Sequence, residues 1–203
     1  MYCAERVIGH VRVYRLAKRA FDLVGAIVLL ILLAVPMVIL TVLIRLDSPG
    51  PALFRQERLG KNGVPFLMYK FRTMGLDAER NGPQWAREHD SRCTRLGKAL
   101  RKSRMDELPQ LINIIRGEMS FVGPRPERAY FYAVFEEHVH GFRQRLQVLP
   151  GVTGWAQVNG GYQLRPEEKL RYDMEYIERQ SVVFDFKCLF QTIGVVVHSE
   201  GAR

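Results

Sequence analysis

Two adjacent carboxylates, Asp106 and Glu107, stand near the start of the stretch Ser103–Pro126, SRMDELPQLINIIRGEMSFVGPRP. An apolar run at helical spacing follows them, Leu108, Leu111, Ile112 and Ile115, and a basic residue between prolines closes the stretch, Pro124-Arg125-Pro126. Pro109 suits the first turn of a helix, where a missing N–H costs nothing. The two acids then fall at or just before the positive end of that helix, a place that also attracts phosphate. A carboxylate there can attack a phosphorus or hold a metal; the same pattern also serves a helix cap with a surface acid.

The rest of the chain supplies the context for these acids. Lys and Arg number 30 against 21 Asp and Glu in 203 residues, a formal charge of +9. That excess favours an anionic partner: nucleic acid, acidic lipid headgroups or a phosphorylated substrate. Cys3, Cys93 and Cys188 are scattered, which argues against a disulfide framework or a zinc site, and the five histidines lack ligand spacing.

The elements that must position the acids begin with a membrane segment. Residues 1–20 alternate basic and apolar side chains, as at a membrane surface. From Val24 to Ile44 there is no charge, enough for a helix of about 31 Å. Pro36 interrupts that run and predicts a kink. Basic residues flank it on both sides, Arg15, Lys18 and Arg19 before and Arg45, Arg55, Arg58 and Lys61 after. Both flanks on one face of the bilayer favour a re-entrant hairpin over a span. Asp47-Ser48-Pro49-Gly50-Pro51 ends this element. Ala52–Gln56 and Pro65–Phe71 predict a β-hairpin around Gly60-Lys61-Asn62-Gly63, with Lys70 and Arg72 at its end. Residues 75–95 predict a loop with a helical piece, and Leu96–Lys102 a basic helix. Aromatic and apolar residues recur at helical spacing across Arg128–Leu149, which Pro150-Gly151 breaks. Pro166–Gln180 reads as a charged helix and Val182–Val197 as an apolar one. The expected fold is α+β, predominantly helical with a small hairpin, a re-entrant membrane segment (1–46) and a catalytic domain (47–203) with interfacial amphipathic helices.

The motifs, taken in order, resemble one family. They are Lys18-Arg19 with Asp22, the proline-broken run, Asp47-Ser48-Pro49-Gly50-Pro51, Lys70-Phe71-Arg72-Thr73-Met74, Asp106-Glu107-Leu108-Pro109-Gln110, Gly123-Pro124-Arg125-Pro126 and Pro150-Gly151-Val152-Thr153-Gly154-Trp155-Ala156-Gln157-Val158-Asn159-Gly160. This set is similar to the bacterial sugar transferases, the monotopic phosphoglycosyl transferases, from about Lys18 to Val197. The length matches their minimal catalytic unit. Two departures stand out: Val35 where many members have Ser before the proline, and Asn159-Gly160-Gly161 where many have Asn-Gly-Arg.

The resemblance implies transfer of a sugar 1-phosphate from a UDP-sugar to polyprenyl (undecaprenyl) phosphate, with release of UMP, at the cytoplasmic face of the bacterial inner membrane. It makes Asp106 the nucleophile of a covalent phosphosugar intermediate, Glu107 its acidic partner and Mg²⁺ the cofactor. A divalent ion and cations suit a carboxylate that must approach a diphosphate, and covalent transfer predicts ping-pong kinetics. Lys70, Arg72, Arg101 and Arg125 are the candidate phosphate binders. Asp173 is a candidate metal or substrate residue alongside Asp106, and Asn159 a pocket residue. The expected partners are the two substrates, anionic lipids, downstream glycosyltransferases and a second copy of the chain, without nucleic acid. Two other readings share this sequence: direct transfer in a ternary complex with Asp106 only holding metal, and a non-enzymatic membrane adaptor with a basic domain for lipid or nucleic acid.

Overall fold

A computed structural model of the chain describes residues 2–80, 82 and 90–197. It is α+β and mainly helical. Two helices lead, α1 (Tyr2–Leu32) and α2 (Ala34–Asp47), followed by the hairpin β1 (Leu53–Leu59) and β2 (Pro65–Phe71). Then come α3 (Arg95–Lys102), α4 (Gln110–Arg116), β3 (Ser120–Val122), α5 (Ala129–Glu136), β4 (Gly151–Thr153), α6 (Trp155–Val158), α7 (Pro166–Glu178) and α8 (Val182–Val197). Of residues 75–95, expected to form a loop with a helical piece, 81 and 83–89 lie outside the described residues.

Among the described residues no single helix is long and apolar enough to cross a membrane. The pair Val13–Leu32 and Ala34–Asp47 has the length and composition together, and is bent by 62°. The bend sits at Leu33, one turn before Pro36, because Pro36 has no N–H to donate to the Leu32 carbonyl. A serine at position 35 is not required for it: Val35 stands there, 69% exposed.

One face of this bent pair packs on the body and the other carries bare apolar side chains. Ala26 enters a core with Phe66 and Met68 of β2 and Leu111 and Ile114 of α4. Leu40 and Ile44 join Ala52, Phe71 and Leu100. Gly25 is required for the close approach, since a Cβ there would lie 2.9 Å from the Phe121 ring. Opposite, Val24, Ile31, Leu32, Val38 and Leu46 are exposed, and α8 exposes Val183, Phe190 and Ile193. Phe21 of α1 and Phe186 of α8 meet edge to face at 5.4 Å, so the two apolar faces adjoin.

The basic flank of the apolar run is less available to lipid than its charges suggest. Arg19 donates to the carbonyls of Ile114 and Ile115 at 2.6 and 2.8 Å, satisfying orphan acceptors at the end of α4. Lys18 pairs with Asp185 at 2.9 Å, and the Asp22 carboxylate accepts from the Phe121 N–H at 3.0 Å. These residues fasten α1 to the body. Counting Lys18 and Arg19 as topology signals therefore overstates the positive charge facing the membrane.

The expected hairpin forms, antiparallel with Leu53 opposite Phe71 and Leu59 opposite Pro65, its first strand running on to Leu59 beyond the expected end at Gln56. The strands β3 and β4 and the short α6 are not among the elements expected from the sequence. Pro150-Gly151 does end a helical region, yet Gly151–Thr153 also forms β4, parallel to β3. The glycines explain the pairing: a Cβ on Gly151 would lie 2.1 Å from the Gly123 nitrogen, and one on Gly154 2.1 Å from the Gly123 oxygen. Backbone contacts backbone here, so no side chain fits. The pairing fixes the Pro124-Arg125-Pro126 segment, with Gly123 N–H on Thr153 O and Gly151 N–H on Pro124 O, both at 2.9 Å.

Candidate active site

Asp106 and Glu107 occupy a single 3₁₀ turn, Met105–Glu107, between α3 and α4. Arg104 precedes it in the left-handed region, φ 59° and ψ 12°, a conformation a non-glycine residue rarely adopts and one that clusters at functional sites. Thr94 caps α3 by accepting from the Gly97 N–H at 3.0 Å. A Cβ on Gly97 would lie 2.0 Å from the Thr73 oxygen, so only glycine lets α3 sit against the end of the hairpin. These contacts place the acids beside Lys70.

Both carboxylates are buried, and they differ in partners. Glu107 Oε1 accepts from Arg125 Nη2 at 2.5 Å and Lys70 Nζ at 3.4 Å. Burial pushes the Glu107 carboxyl up, but the charges of Arg125 and Lys70 and the Arg125 hydrogen bond outweigh it, so Glu107 stays ionised far below the usual carboxylate range. Asp106 lies outside those ion pairs. Burial, reinforced by the Glu107 charge, raises its pKa against the opposing pull of Lys70, Arg125 and Arg101. Glu107 is thus held anionic, and Asp106 is the more basic of the two carboxylates.

Asp106 forms part of the wall of a cavity of about 310 Å³. Lys70, Arg101, Arg104, Arg125 and Arg128 line it too, a basic surface suited to a diphosphate. Phe54 and Phe131 supply aromatic wall. Glu79 Oε1 accepts from Gln56 Nε2 at 3.0 Å and Arg128 Nη1 at 2.8 Å across it. Sequence reasoning passed over Arg104, Arg128 and Glu79; the proximity of Arg104 to Asp106 was the one signal that could have found any of them.

Of the predicted site residues, Asp106, Glu107, Lys70, Arg101 and Arg125 come together. Arg72 lies in the same wall but has another task. Its Nη1 donates to the Pro49 carbonyl and its Nη2 to the Ser48 carbonyl, each at 2.6 Å. A second Nη2 bond reaches the Ser48 hydroxyl at 3.0 Å. The guanidinium therefore closes the end of α2 while its residue stands in the cavity wall.

Asn159 lies outside the cavity walls, its Nδ2 donating to the Trp155 carbonyl at 2.8 Å to close α6. Asp173 also lies outside them, and its partner is one the sequence did not indicate. Its Oδ2 accepts from Arg145 Nε at 2.6 Å with both side chains about 1% exposed. Arg145 Nη2 in turn donates to the Arg125 carbonyl at 3.0 Å. Burial disfavours the Arg145 charge, but Asp173 outweighs it and keeps the guanidinium protonated. Asp173 thus acts on the site at second hand, by holding the residue that holds Arg125. Asp173 is therefore engaged with Arg145 and is not among the residues that line the cavity beside Asp106.

Among the described residues no group of three or more His, Cys, Asp or Glu could hold a metal ion. Mg²⁺ does not demand one. It is commonly held by one or two carboxylates with water and substrate phosphates completing the shell. The hard oxygens of Asp106 and Glu107 facing a basic cavity fit that pattern.

A family model described as bacterial sugar transferase matches residues 13–199. The chain belongs to the bacterial sugar transferase family. Among its relatives is the UDP-N-acetylgalactosamine-undecaprenyl-phosphate N-acetylgalactosaminephosphotransferase of Aeromonas hydrophila, 40% identical over 94% of this chain and 46% of that protein. The UDP-glucose:undecaprenyl-phosphate glucose-1-phosphate transferase of Escherichia coli is 39% identical over 89% of the chain and 40% of its own length. The protein of the same name in Caulobacter vibrioides is 38% identical, with 92% of this chain matching 72% of that one. The chain spans less than half the length of the first two. The names of these sugar transferases carry two different sugars, and all carry undecaprenyl phosphate.

Proposed function

We propose that the chain transfers a sugar 1-phosphate from a UDP-sugar to polyprenyl phosphate, undecaprenyl phosphate in bacteria, and releases UMP. The observation that carries this reading is the pair of buried acids in the basic cavity: Glu107 is held anionic by Lys70 and Arg125, while Asp106 faces the space a diphosphate would fill. The relatives' names supply the substrate classes.

In the first step an Asp106 oxygen attacks the β-phosphorus, the bond to the bridging oxygen breaks, and UMP departs with that oxygen. In the second, a phosphate oxygen of the lipid attacks the same phosphorus and the Asp106 carboxylate leaves, giving a polyprenyl diphosphate sugar. No water enters the balance. Lys70 and Arg125 orient Glu107 and lower the repulsion between Asp106 and the diphosphate. Arg101 and Arg104 add positive charge to the same wall. Mg²⁺ held by Asp106 and Glu107 would supply charge neutralisation on the phosphates. Burial excludes water that would otherwise hydrolyse the aspartyl phosphosugar.

The bare apolar faces of α1, α2 and α8 support a monotopic placement. In this reading the bent pair enters and leaves the cytoplasmic leaflet of the inner membrane, and α8 lies along it. The lipid phosphate then reaches Asp106 at headgroup depth. Anionic lipids, downstream glycosyltransferases and a second copy of the chain remain the proposed partners.

The test is UMP release from a panel of UDP-sugars by purified protein with Mg²⁺. Release for one or two sugars, dependent on Asp106, supports the reading and names the sugar. A folded, membrane-bound preparation that releases no UMP from any of them, with or without lipid phosphate, overturns it.

A further inference from the structure

The acids and Lys70 stand on different elements, and something must fix the distance between them. Lys70 belongs to β2, whereas Asp106 and Glu107 lead directly into α4. Phe66 and Met68 of β2 share an apolar core with Leu111 and Ile114 of α4. Apolar contact is non-directional and by itself sets no register. The directional link is Asn113 of α4, whose side chain is fully buried. Its Oδ1 accepts from the Tyr69 N–H at 3.0 Å, and its Nδ2 donates to the Leu67 carbonyl at 2.7 Å. An N–H and the carbonyl two residues before it are what a neighbouring strand would bond, so this amide stands in for a third strand beside β2.

The second Nδ2 hydrogen goes to Glu118 Oε2 at 2.7 Å. Glu118 is held there because its own N–H, like that of Met119, donates to the Asn113 carbonyl. With both amide hydrogens used and the oxygen engaged, only an amide serves. Aspartate would turn an oxygen on the Leu67 carbonyl and on Glu118, and leucine would leave the edge of β2 unmet. Side chains alternate along β2, so Met68 and Lys70 line the cavity while Leu67 and Tyr69 do not. The clamped Tyr69 peptide immediately precedes Lys70, whose Nζ reaches Glu107 Oε1 at 3.4 Å. Arg116 of α4 adds an exposed grip by donating to the Tyr69 hydroxyl at 2.8 Å. Asn113 itself is not part of the cavity wall.

We propose that Asn113 is a positioning residue for the acids: its amide sets the register of β2 on α4 and so holds Lys70 against Glu107 and beside Asp106. It touches no substrate and acts through Lys70. This rests on the transferase reading for its effect on turnover, but not for its effect on where Lys70 stands.

The experiment has two arms, both on the full chain in nanodiscs and well below the unfolding midpoint of each variant. In the first, sulfosuccinimidyl acetate acylates exposed amines, and the rate at Lys70 is read by mass spectrometry against the exposed Lys98 and Lys102. Asn113→Ser is expected to acylate at Lys70 about threefold faster or more, because the ammonium is freed from Glu107. Glu118→Ala, at a half-buried position, removes only the outer hydrogen bond and is expected to shift the rate in the same direction. It decides the question if Asn113→Ser does not fold. In the second arm, kcat/KM for UMP release is measured for Asn113→Ser, Lys70→Met and the double variant. Asn113→Ser is expected to lose about 10-fold or more in the wild-type background. In the Lys70→Met background the further loss should stay within about twofold, since Asn113 then has nothing to position. Wild-type acylation rates at Lys70 in every folded variant, or an equal loss in both backgrounds, would overturn the proposal and leave Asn113 a residue of the fold alone. A wild-type chain that releases no UMP bears on the transferase reading instead, and the acylation rates then decide the placement of Lys70.

Discussion

Replacing Asp173 by Asn separates two roles for this residue. In the structure its carboxylate balances Arg145, and the pair is almost wholly buried. Asn keeps the volume and removes the charge, leaving a buried guanidinium near the rings of Phe142 and Tyr132, 4.6 and 5.9 Å away. Breaking a buried pair from one side costs about 3–5 kcal/mol, because the remaining charge is uncompensated. For a chain of this size each kcal/mol lowers Tm by roughly 2–4 °C, so a fall of about 6–20 °C is expected. Replacing both partners, Asp173→Leu with Arg145→Met, should recover much of that stability, since two apolar groups can replace a buried ion pair at little cost. The assays are thermal unfolding in detergent and UMP release at several Mg²⁺ concentrations. A Tm within about 2 °C of wild type, with activity lost and then restored by excess Mg²⁺, would refute the structural role and return Asp173 to the metal.

Other substitutions test neighbouring links. Glu107→Gln removes the anion that helps raise the Asp106 pKa, so the acidic limb of the kcat/KM profile should move to lower pH while kcat falls; a move to higher pH contradicts the assignment. The stability Glu107 gives should be present above about pH 4.3, the value for an unfolded Glu. It should fade as pH falls towards its depressed folded-state value, so the wild-type advantage over Glu107→Gln in urea should shrink in acid. Arg72→Ala removes hydrogen bonds to the end of α2 and should cost about 2–4 kcal/mol in urea unfolding. It should leave the KM of the UDP-sugar in the surviving folded fraction within about twofold; a large rise in KM without destabilisation would restore its role as a phosphate ligand. Gly151→Ala places a methyl against the Gly123 backbone and should destabilise by about 3 kcal/mol or more, whereas an unchanged unfolding midpoint would show that β3 and β4 need no such contact.

The hairpin, α3, α7 and α8 were legible because each rests on local signals: alternation, a turn, a cap or helical periodicity. The acids of the candidate site were legible for a similar reason, since Asp106, Glu107, Lys70 and Arg125 stand in short motifs. What could not be read depended on distant partners. Arg72 looks like a hairpin-end cation until the carbonyls of Ser48 and Pro49 are placed beside it. Asp173 has charged neighbours in sequence at Lys169 and Arg171, yet its ion pair is with Arg145. Gly151 and Gly154 read as helix breakers because nothing local shows that Gly123 comes to within a Cβ radius of them. Arg19 and Lys18 were counted as lipid-facing charge when their partners are Ile114, Ile115 and Asp185.

The central claim is that Asp106 becomes covalently bonded to the transferred phosphosugar. Intact-mass measurement after mixing the protein with UDP-sugar and Mg²⁺, without any lipid phosphate, addresses it directly. The account predicts a stoichiometric mass increase equal to one sugar phosphate, matched by one equivalent of UMP and mapped by fragmentation to Asp106. The adduct should disappear when undecaprenyl phosphate is added and should be absent from Asp106→Asn. UMP formed only when the lipid phosphate is present, with no adduct on Asp106 at any time, would contradict it and establish direct transfer in a ternary complex.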